Sequence, residues 1–339
     1  MRALVWTGPR SMEMRTVDDP VPGPGEVLIE VAYSGICGSE LGGYLGHNSL
    51  RVPPLIMGHE FSGVIADAGP GVSQQALPEG AEVTVNPIIA GEGSRAAIEG
   101  RANLSRRREI LGIHRPGSFA RLIVAPANQT YVLPNGLSLE MAALTEPMGC
   151  AIRAAAHACV GPTDTVMVAG LGTIGLLTAQ VLKESGVRTV IATDIDPYRR
   201  SMGEALGFHV LDPSAGDPVE QVLSLTNGEG VSAAVDAVGA DITRTQCIRC
   251  VRWGGTVVFV GLHAEASEFP ANYVIRSEIT IQGSFAYAPK DFEDALQWLA
   301  DGRAPVRPWI EHAPLEEGGD CFERLLGEPG PVLKILLDS

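Results

Sequence analysis

The 339-residue sequence predicts an α/β protein of two units, a β-barrel-like unit and a doubly wound parallel sheet. Three observations carry this. The length exceeds one ordinary core, and 45% of the residues are apolar, which is ample material for two. Up to about residue 147, short β-rich runs are broken by Gly and Pro. From about residue 149 to 285, apolar strands alternate with amphipathic helices, as a parallel doubly wound sheet requires.

In the first unit, runs at 26–33, 63–68 and 119–124 read as strands, each bordered by Gly or Pro. In the second, 165–169 reads as a strand, 174–185 as a helix, 189–194 as a strand and 199–206 as a helix. The strand signal returns at 233–237, 256–260 and 279–284. The tail begins with a helix at 292–301, ends on an apolar strand at 332–337, and is long enough to fold back onto the first unit. The expected division is 1–148 with 287–339, against 149–286.

Charge and leader composition exclude several functions. With 40 acidic against 25 basic residues the net charge is −15, which argues against a nucleic-acid partner. The opening MRALVWTG lacks an apolar leader, and no apolar run is long enough to cross a bilayer. The six cysteines then read as thiols in a reducing compartment. The expectation is a soluble cytoplasmic protein without a membrane partner.

Gly170-Leu-Gly172-Thr173-Ile174-Gly175 follows the strand TVMVA and opens the helix after it. In that context a GxGxxG turn binds a dinucleotide: Gly170 makes the turn, Gly172 admits a pyrophosphate, and Gly175 allows close helix–strand packing. Asp194 lies 19 residues past Gly175, where a carboxylate accepts ribose hydroxyls and repels a 2′-phosphate, favouring NAD. Arg199 and Arg200 follow closely and could meet such a phosphate.

Cys37 lies in SGICGSE, and His59-Glu60 lies in PPLIMGHEFSG. A thiolate, an imidazole and a carboxylate suit Zn²⁺ and leave a fourth position open. Singly, each is an ordinary buried thiol or surface pair; together, flanked by glycines, they form a candidate metal site. Cys247-x2-Cys250 reads instead as part of a helix against the sheet, without a second pair to complete a site. Cys150 and Cys159 read as buried apolar residues, and His114, His157, His209, His263 and His312 as structural or surface groups.

These pieces, with TEPMG, VAGLGTIGLL, VDAVGA, VVFVGL and ITIQGSF, resemble the zinc-dependent medium-chain dehydrogenase/reductase superfamily on its polyol and threonine dehydrogenase side. The resemblance runs nearly end to end. It implies a GroES-like catalytic barrel and a Rossmann domain. It implies one catalytic zinc held by Cys37, His59 and Glu60, with Glu146 of TEPMG ligating directly or through water. Ser39 is implied as the proton-relay hydroxyl, and Glu40 as the carboxylate orienting His59. Val238, Val260, Gly261, Leu262 and the Ser284-Phe285 backbone are implied around the nicotinamide, and a homodimer or homotetramer is implied as the assembly.

Departures from the family pattern bear on metal content and substrate. The four structural-zinc cysteine positions of the family hold Gly91, Ser94, Ala97 and Ser105, so no structural zinc is expected, and Arg106-Arg107-Arg108 beside them reads as a solvated face. Gly42 stands where many relatives carry His, so a proton path would run through water or His47. Ala286 replaces the Arg of a GxFRY motif, which removes a contact to polyol hydroxyls. The loop 41–54 should shape the pocket, where Tyr44, His47 and Arg51 could touch a polar small-molecule substrate. The function expected is hydride transfer between a secondary alcohol and NAD. A zinc-free NADPH-dependent quinone or enoyl reductase, and a catalytically silent nucleotide binder, are the alternatives.

Overall fold

The computed structural model describes every residue except Glu92. It divides into two compact units, Met1–Glu146 with Ala288–Ser339, and Pro147–Tyr287.

The first unit is built on the long strand Glu26–Gly35, which pairs antiparallel with Glu60–Ala68, Leu122–Pro126 and Lys334–Asp338. Its alternate residues Val27, Ile29 and Val31 are buried with Phe61, Ile65 and Ile123, the period-2 pattern of a strand with one face on a core. A second core gathers Trp6, Tyr44, Met57, Phe119 and Phe322. The tail does return to this unit: Lys334–Asp338 pairs antiparallel with Glu26–Gly35 and parallel with Ile310–Pro314. Registers matter here, because Gly35 pairs with Glu60 on one side and with Leu336 on the other.

Several boundaries move. The strand expected at 26–33 continues to Gly35, and the one at 63–68 starts at Glu60, which places Glu60 on a rigid element. The run at 119–124 contributes Leu122–Pro126, while Ala120 forms an isolated bridge with Ala3. The loop expected from residue 41 begins after Tyr44, because Gly38–Tyr44 is helical.

The second unit carries six parallel strands in the spatial order His209–Leu211, Thr189–Thr193, Thr165–Ala169, Val231–Asp236, Val251–Phe259 and Thr280–Gly283. The chain works outward from Thr165–Ala169 on one side and then resumes on the other. The order therefore reverses between Thr165–Ala169 and Val231–Asp236, the switch point where such sheets bind ligands at their carboxyl edge. Val166 to Ala169 are all fully buried, as befits a strand covered on both faces.

None of the six cysteines is joined in a disulfide. Cys247 and Cys250 are buried on the helix Asp241–Cys250, and burial pushes the Cys250 thiol up to about 12, so both are inert packing groups. Cys159 corrects the expectation of burial: it lies just past the helix Thr145–His157, is exposed, and takes a positive φ of 51° where the chain turns. Among the described residues, no helix is long and apolar enough to cross a membrane.

Candidate active site

Cys37, His59 and Glu60 converge, with one ligand atom from each lying within 4.8 Å of the others. Local structure explains the convergence. Cys37 is the N-cap of the helix Gly38–Tyr44, and Glu40 in its first turn reaches back to accept the Cys37 N–H at 3.0 Å. The other Glu40 oxygen accepts the Gly58 N–H at 2.8 Å and meets His59 Nδ1 at 3.1 Å. One buried carboxylate thus ties the segments carrying Cys37 and His59 together and leaves His59 Nε2 to face the cluster as a candidate ligand nitrogen. Gly58 sits at φ +100°, and a Cβ there would lie 2.5 Å from Ser118 Oγ, so the turn that delivers His59 requires glycine. Ser39 Oγ donates to Cys37 Sγ at 3.3 Å.

The electrostatics are those of a charged, enclosed cluster. Burial works against a charged His59, but the Glu40 carboxylate and the Cys37 sulfur outweigh it and raise its pKa well above the usual histidine value. Burial would likewise raise Glu40, yet His59, Arg51 and the Cys37 amide hold it below the ordinary carboxylate range.

Sequence reasoning missed Lys334. Its Nζ lies 2.6 Å from Glu60 Oε2 and donates to the Ile36 carbonyl at 3.0 Å, with both charged side chains almost wholly buried. Burial opposes the ammonium, but Glu60, Cys37 and Glu146 raise its pKa, so it stays charged. The signal was legible: a single lysine inside the apolar run VLKILL of a returning strand.

Of the other residues expected at this site, Glu146 is buried and close enough to act on Lys334. Arg51 is 3% exposed, with its guanidinium 3.3 Å from the Ser39 carbonyl and 3.5 Å from Ser39 Oγ. It runs over Gly43, where a Cβ would lie 2.5 Å from Arg51 Cδ. Tyr44 is a correction: its hydroxyl donates to Glu323 at 2.6 Å and its ring packs on Phe322, so it belongs to the core rather than to a pocket. His47 is exposed on the segment after the helix.

At the carboxyl edge of the parallel sheet, Gly170 takes φ +88°, and a Cβ on Gly175 would lie 1.8 Å from the Gly170 carbonyl oxygen. Gly172 caps the helix Thr173–Glu184, and a Cβ there would meet only Arg199 Nη1, at 3.8 Å, so the space in front of the helix amides is open. Asp194 accepts the Leu171 N–H at 2.7 Å and the Asp196 N–H at 2.8 Å. Arg199 lies 3.9 Å from its carboxylate. Arg200 is committed elsewhere, to Asp212 at 2.7 Å and to the carbonyls of Asp194 and Ile195. Val238, Val260 and Ser284 lie where the next strands end: Val238 N–H donates to Asp236 Oδ1, Val260 N–H to the Asp236 carbonyl, and Ser284 N–H to the Phe259 carbonyl. Leu262 follows, largely exposed, and Phe285 lies just beyond Ser284.

Known proteins match this geometry. Residues 23–135 match the family Alcohol dehydrogenase GroES-like domain, and residues 173–301 match the family Zinc-binding dehydrogenase. Sorbitol dehydrogenase of Bacillus subtilis (strain 168) is 32% identical over 346 residues, covering 99% of this chain and 97% of that protein. This chain belongs to the zinc-type medium-chain dehydrogenases.

Two solved structures superpose along the whole chain. A Sinorhizobium meliloti 1021 protein described as a zinc-binding dehydrogenase and bound to NADP gives a TM-score of 0.92 at 29% identity, covering 100% of this chain and 99% of that one. An alcohol dehydrogenase of Escherichia coli CFT073 complexed with NADH gives 0.92 at 27% identity, with the same coverage. The chain is thus an oxidoreductase of the alcohol and polyol dehydrogenase type, with zinc and a nicotinamide nucleotide as its family's cofactors. Relatives carry either nicotinamide form, so the choice rests with this chain's own residues.

The lobe that carries Gly91, Ser94, Ala97 and Ser105 is held by strand pairing and buried side chains. Ile88–Ile89 pairs with Glu109–Ile110, Ala102 and Asn103 are buried, and Ser94 N–H donates to the Gly91 carbonyl at 3.2 Å. Ser105 is buried, its Oγ accepting the Arg107 N–H at 3.3 Å. Glu99 joins Arg95 and Arg101 on the surface.

Proposed function

We propose that this enzyme is a zinc-dependent dehydrogenase of polar secondary alcohols that prefers NAD and holds one zinc per chain. The observation that carries the reading is the Cys37, His59 and Glu60 cluster, with His59 oriented by Glu40. Its sulfur, nitrogen and oxygen donors fit zinc, and three protein ligands leave a position for a substrate oxygen. Glu146 is the reserve carboxylate. When bound, zinc supplies Lewis acidity to the substrate oxygen, and the nicotinamide supplies the hydride acceptor.

The chain's own groups do the rest. Ser39 Oγ, already hydrogen-bonded at Cys37, accepts the substrate hydroxyl proton as it passes its own hydroxyl proton to solvent water. Arg51 keeps a fixed positive charge beside that hydroxyl and cannot itself carry a proton onward. Glu40 holds the His59 tautomer. A polyol-like substrate is supported by the sorbitol dehydrogenase relative, while Ala286 supplies no guanidinium for polyol hydroxyls. Sugar acids, sugar phosphates and 3-hydroxy amino acids fit the same chemistry.

NAD is supported by Asp194, whose buried carboxylate repels a 2′-phosphate, and by the engagement of Arg200 with Asp212. A single zinc is supported by the donor chemistry of Gly91, Ser94, Ala97 and Ser105, none of which is a thiolate or imidazole. The proposed assembly is a homodimer or homotetramer, consistent with the open edge strand Thr280–Gly283 and with Trp253, 73% exposed at the start of the neighbouring strand.

Elemental analysis with nucleotide titration tests the reading. About one zinc per chain is expected, and Cys37→Ala should lose the zinc and about a thousand-fold or more of turnover while still binding NADH. Full turnover in zinc-free protein would favour a metal-free reductase instead. NADH binding without zinc or turnover in the unaltered chain would favour a silent nucleotide binder.

A further inference from the structure

The carboxyl edge of the parallel sheet holds a buried charged pair that the proposed chemistry does not use. Asp236 ends the strand Val231–Asp236 and is fully buried. Its carboxylate accepts the N–H of Val238 at 3.1 Å and of Gly239 at 3.0 Å. Its main-chain carbonyl accepts the N–H of Val260 at 3.0 Å and of Gly261 at 2.9 Å. One residue thus laces together the segments that leave two adjacent strands. They are in backbone contact, since a Cβ on Gly261 would lie 2.3 Å from the Gly239 nitrogen.

Arg244, on the helix Asp241–Cys250, completes the arrangement. Its side chain is 12% exposed and lies over the Phe259 ring at 5.6 Å. Its Nε is 3.7 Å from Asp236 Oδ2 and has no hydrogen-bond acceptor. Its two terminal nitrogens reach opposite ends of the next loop, Nη2 donating to the Gly261 carbonyl at 3.4 Å and Nη1 to Ser267 Oγ. A guanidinium fork can hold both ends at once, and a lysine cannot. Between those ends the loop carries Leu262, 77% exposed, and Ala264, whose N–H donates to the Gly239 carbonyl at 2.9 Å.

A ligand at the switch point extends to both sides of the Gly170–Gly175 turn. Asp194 marks the adenosine side, over the strand Thr189–Thr193. The Asp236 and Arg244 lattice lies on the other side, over Val231–Asp236 and Val251–Phe259. We infer that Arg244 is a positioning residue for the nicotinamide half of the cofactor, a clasp that holds the loop 261–267 in place before the nucleotide arrives. The inference rests on the nucleotide-binding reading of this edge. Without the clasp the ligand must order the loop itself, and apparent affinity falls by the fraction of chains in which the loop is formed.

The test uses full-length zinc-loaded protein and two probes, NADH by fluorescence titration and ADP-ribose by calorimetry. Arg244→Gln should weaken NADH about ten-fold, as expected when about one loop in ten is formed, and leave ADP-ribose within about two-fold. Arg244→Lys should fall between, and Ser267→Ala, which frees one end without touching Asp236, should weaken NADH alone by a smaller factor. Equal losses for NADH and ADP-ribose would make Arg244 a general packing residue and overturn the inference, as would an unchanged NADH affinity. Failure of the unaltered protein to bind ADP-ribose would instead remove the nucleotide reading on which the inference stands.

Discussion

Replacing Lys334 with methionine separates the two partners available to Glu60. Lys334 Nζ and Glu60 Oε2 are 2.6 Å apart, with side chains 2% and 1% exposed. Methionine keeps most of the volume and removes the charge, leaving a carboxylate buried without its cation. In metal-free protein that should cost about 3–5 kcal/mol, the usual penalty for breaking a buried pair from one side. In units of this size each kcal/mol is about 2–4 °C, so the melting temperature should fall by about 6–20 °C. Zinc should restore most of the loss, because Glu60 belongs to the ligand cluster and can turn its charge to the metal. By linkage the variant should also bind zinc more tightly; a differential of about 2 kcal/mol is about thirty-fold in affinity. Thermal denaturation with and without zinc, and competitive zinc titration, measure both effects. An equal fall in melting temperature in the two states, with unchanged zinc affinity, would show that Glu60 never exchanges one cation for the other.

Three further outcomes follow from the geometry. Asp194→Ala removes the charge that accepts the Leu171 and Asp196 amides, and should move the NAD-to-NADP ratio of kcat/KM toward NADP by about ten-fold or more; an unchanged ratio would place cofactor choice elsewhere. Gly175→Ala would set a Cβ 1.8 Å from the Gly170 carbonyl, so NADH affinity should collapse while zinc content is kept. His312 meets Asp338 at Nδ1 (3.1 Å) and Glu140 at Nε2 (3.0 Å), contacts that only an imidazolium satisfies together. Burial opposes the charge there but the two carboxylates raise the pKa, so the added stability is complete below the unfolded value of about 6.5 and is lost as pH rises through the folded value. The melting-temperature gap between the unaltered protein and His312→Gln should therefore be widest near pH 5 and close in alkali.

What was legible in the sequence is what local chemistry determines. The strand at 165–169 and the helix after it follow from an apolar run, a glycine turn and helical spacing, and they appear within a residue of expectation. The convergence of Cys37, His59 and Glu60 could be anticipated because a thiol, an imidazole and a carboxylate beside turn-forming glycines are together the donor types of a metal site. Tyr44 was misjudged because its neighbour is Glu323, distant in sequence, and only the packing of a later helix turns the ring into the core. Lys334 escaped for the same reason: its partner lies 274 positions away, and the pairing of three strands brings the two together. Cys159 shows the limit of composition, since a thiol that usually packs inside here occupies a left-handed turn in solvent.

The charge arrangement at the metal cluster unites these pieces. The Cys37 sulfur and the carboxyl groups of Glu40, Glu60 and Glu146 gather beside two buried basic side chains, Lys334 and Arg51. The acidic donors there are too enclosed for water to screen well, a setting that a divalent ion would suit. Glu40 and the Cys37 sulfur raise the pKa of His59 and so favour a proton on it. A metal bound there would compete with a proton for His59 and with Lys334 for Glu60. Lys334 is far from Glu60 in the sequence and arrives only when the last strand joins the first unit. Closure of that unit by its tail is accordingly part of building the candidate metal site, and truncation before Lys334 would remove a charged side chain as well as a strand.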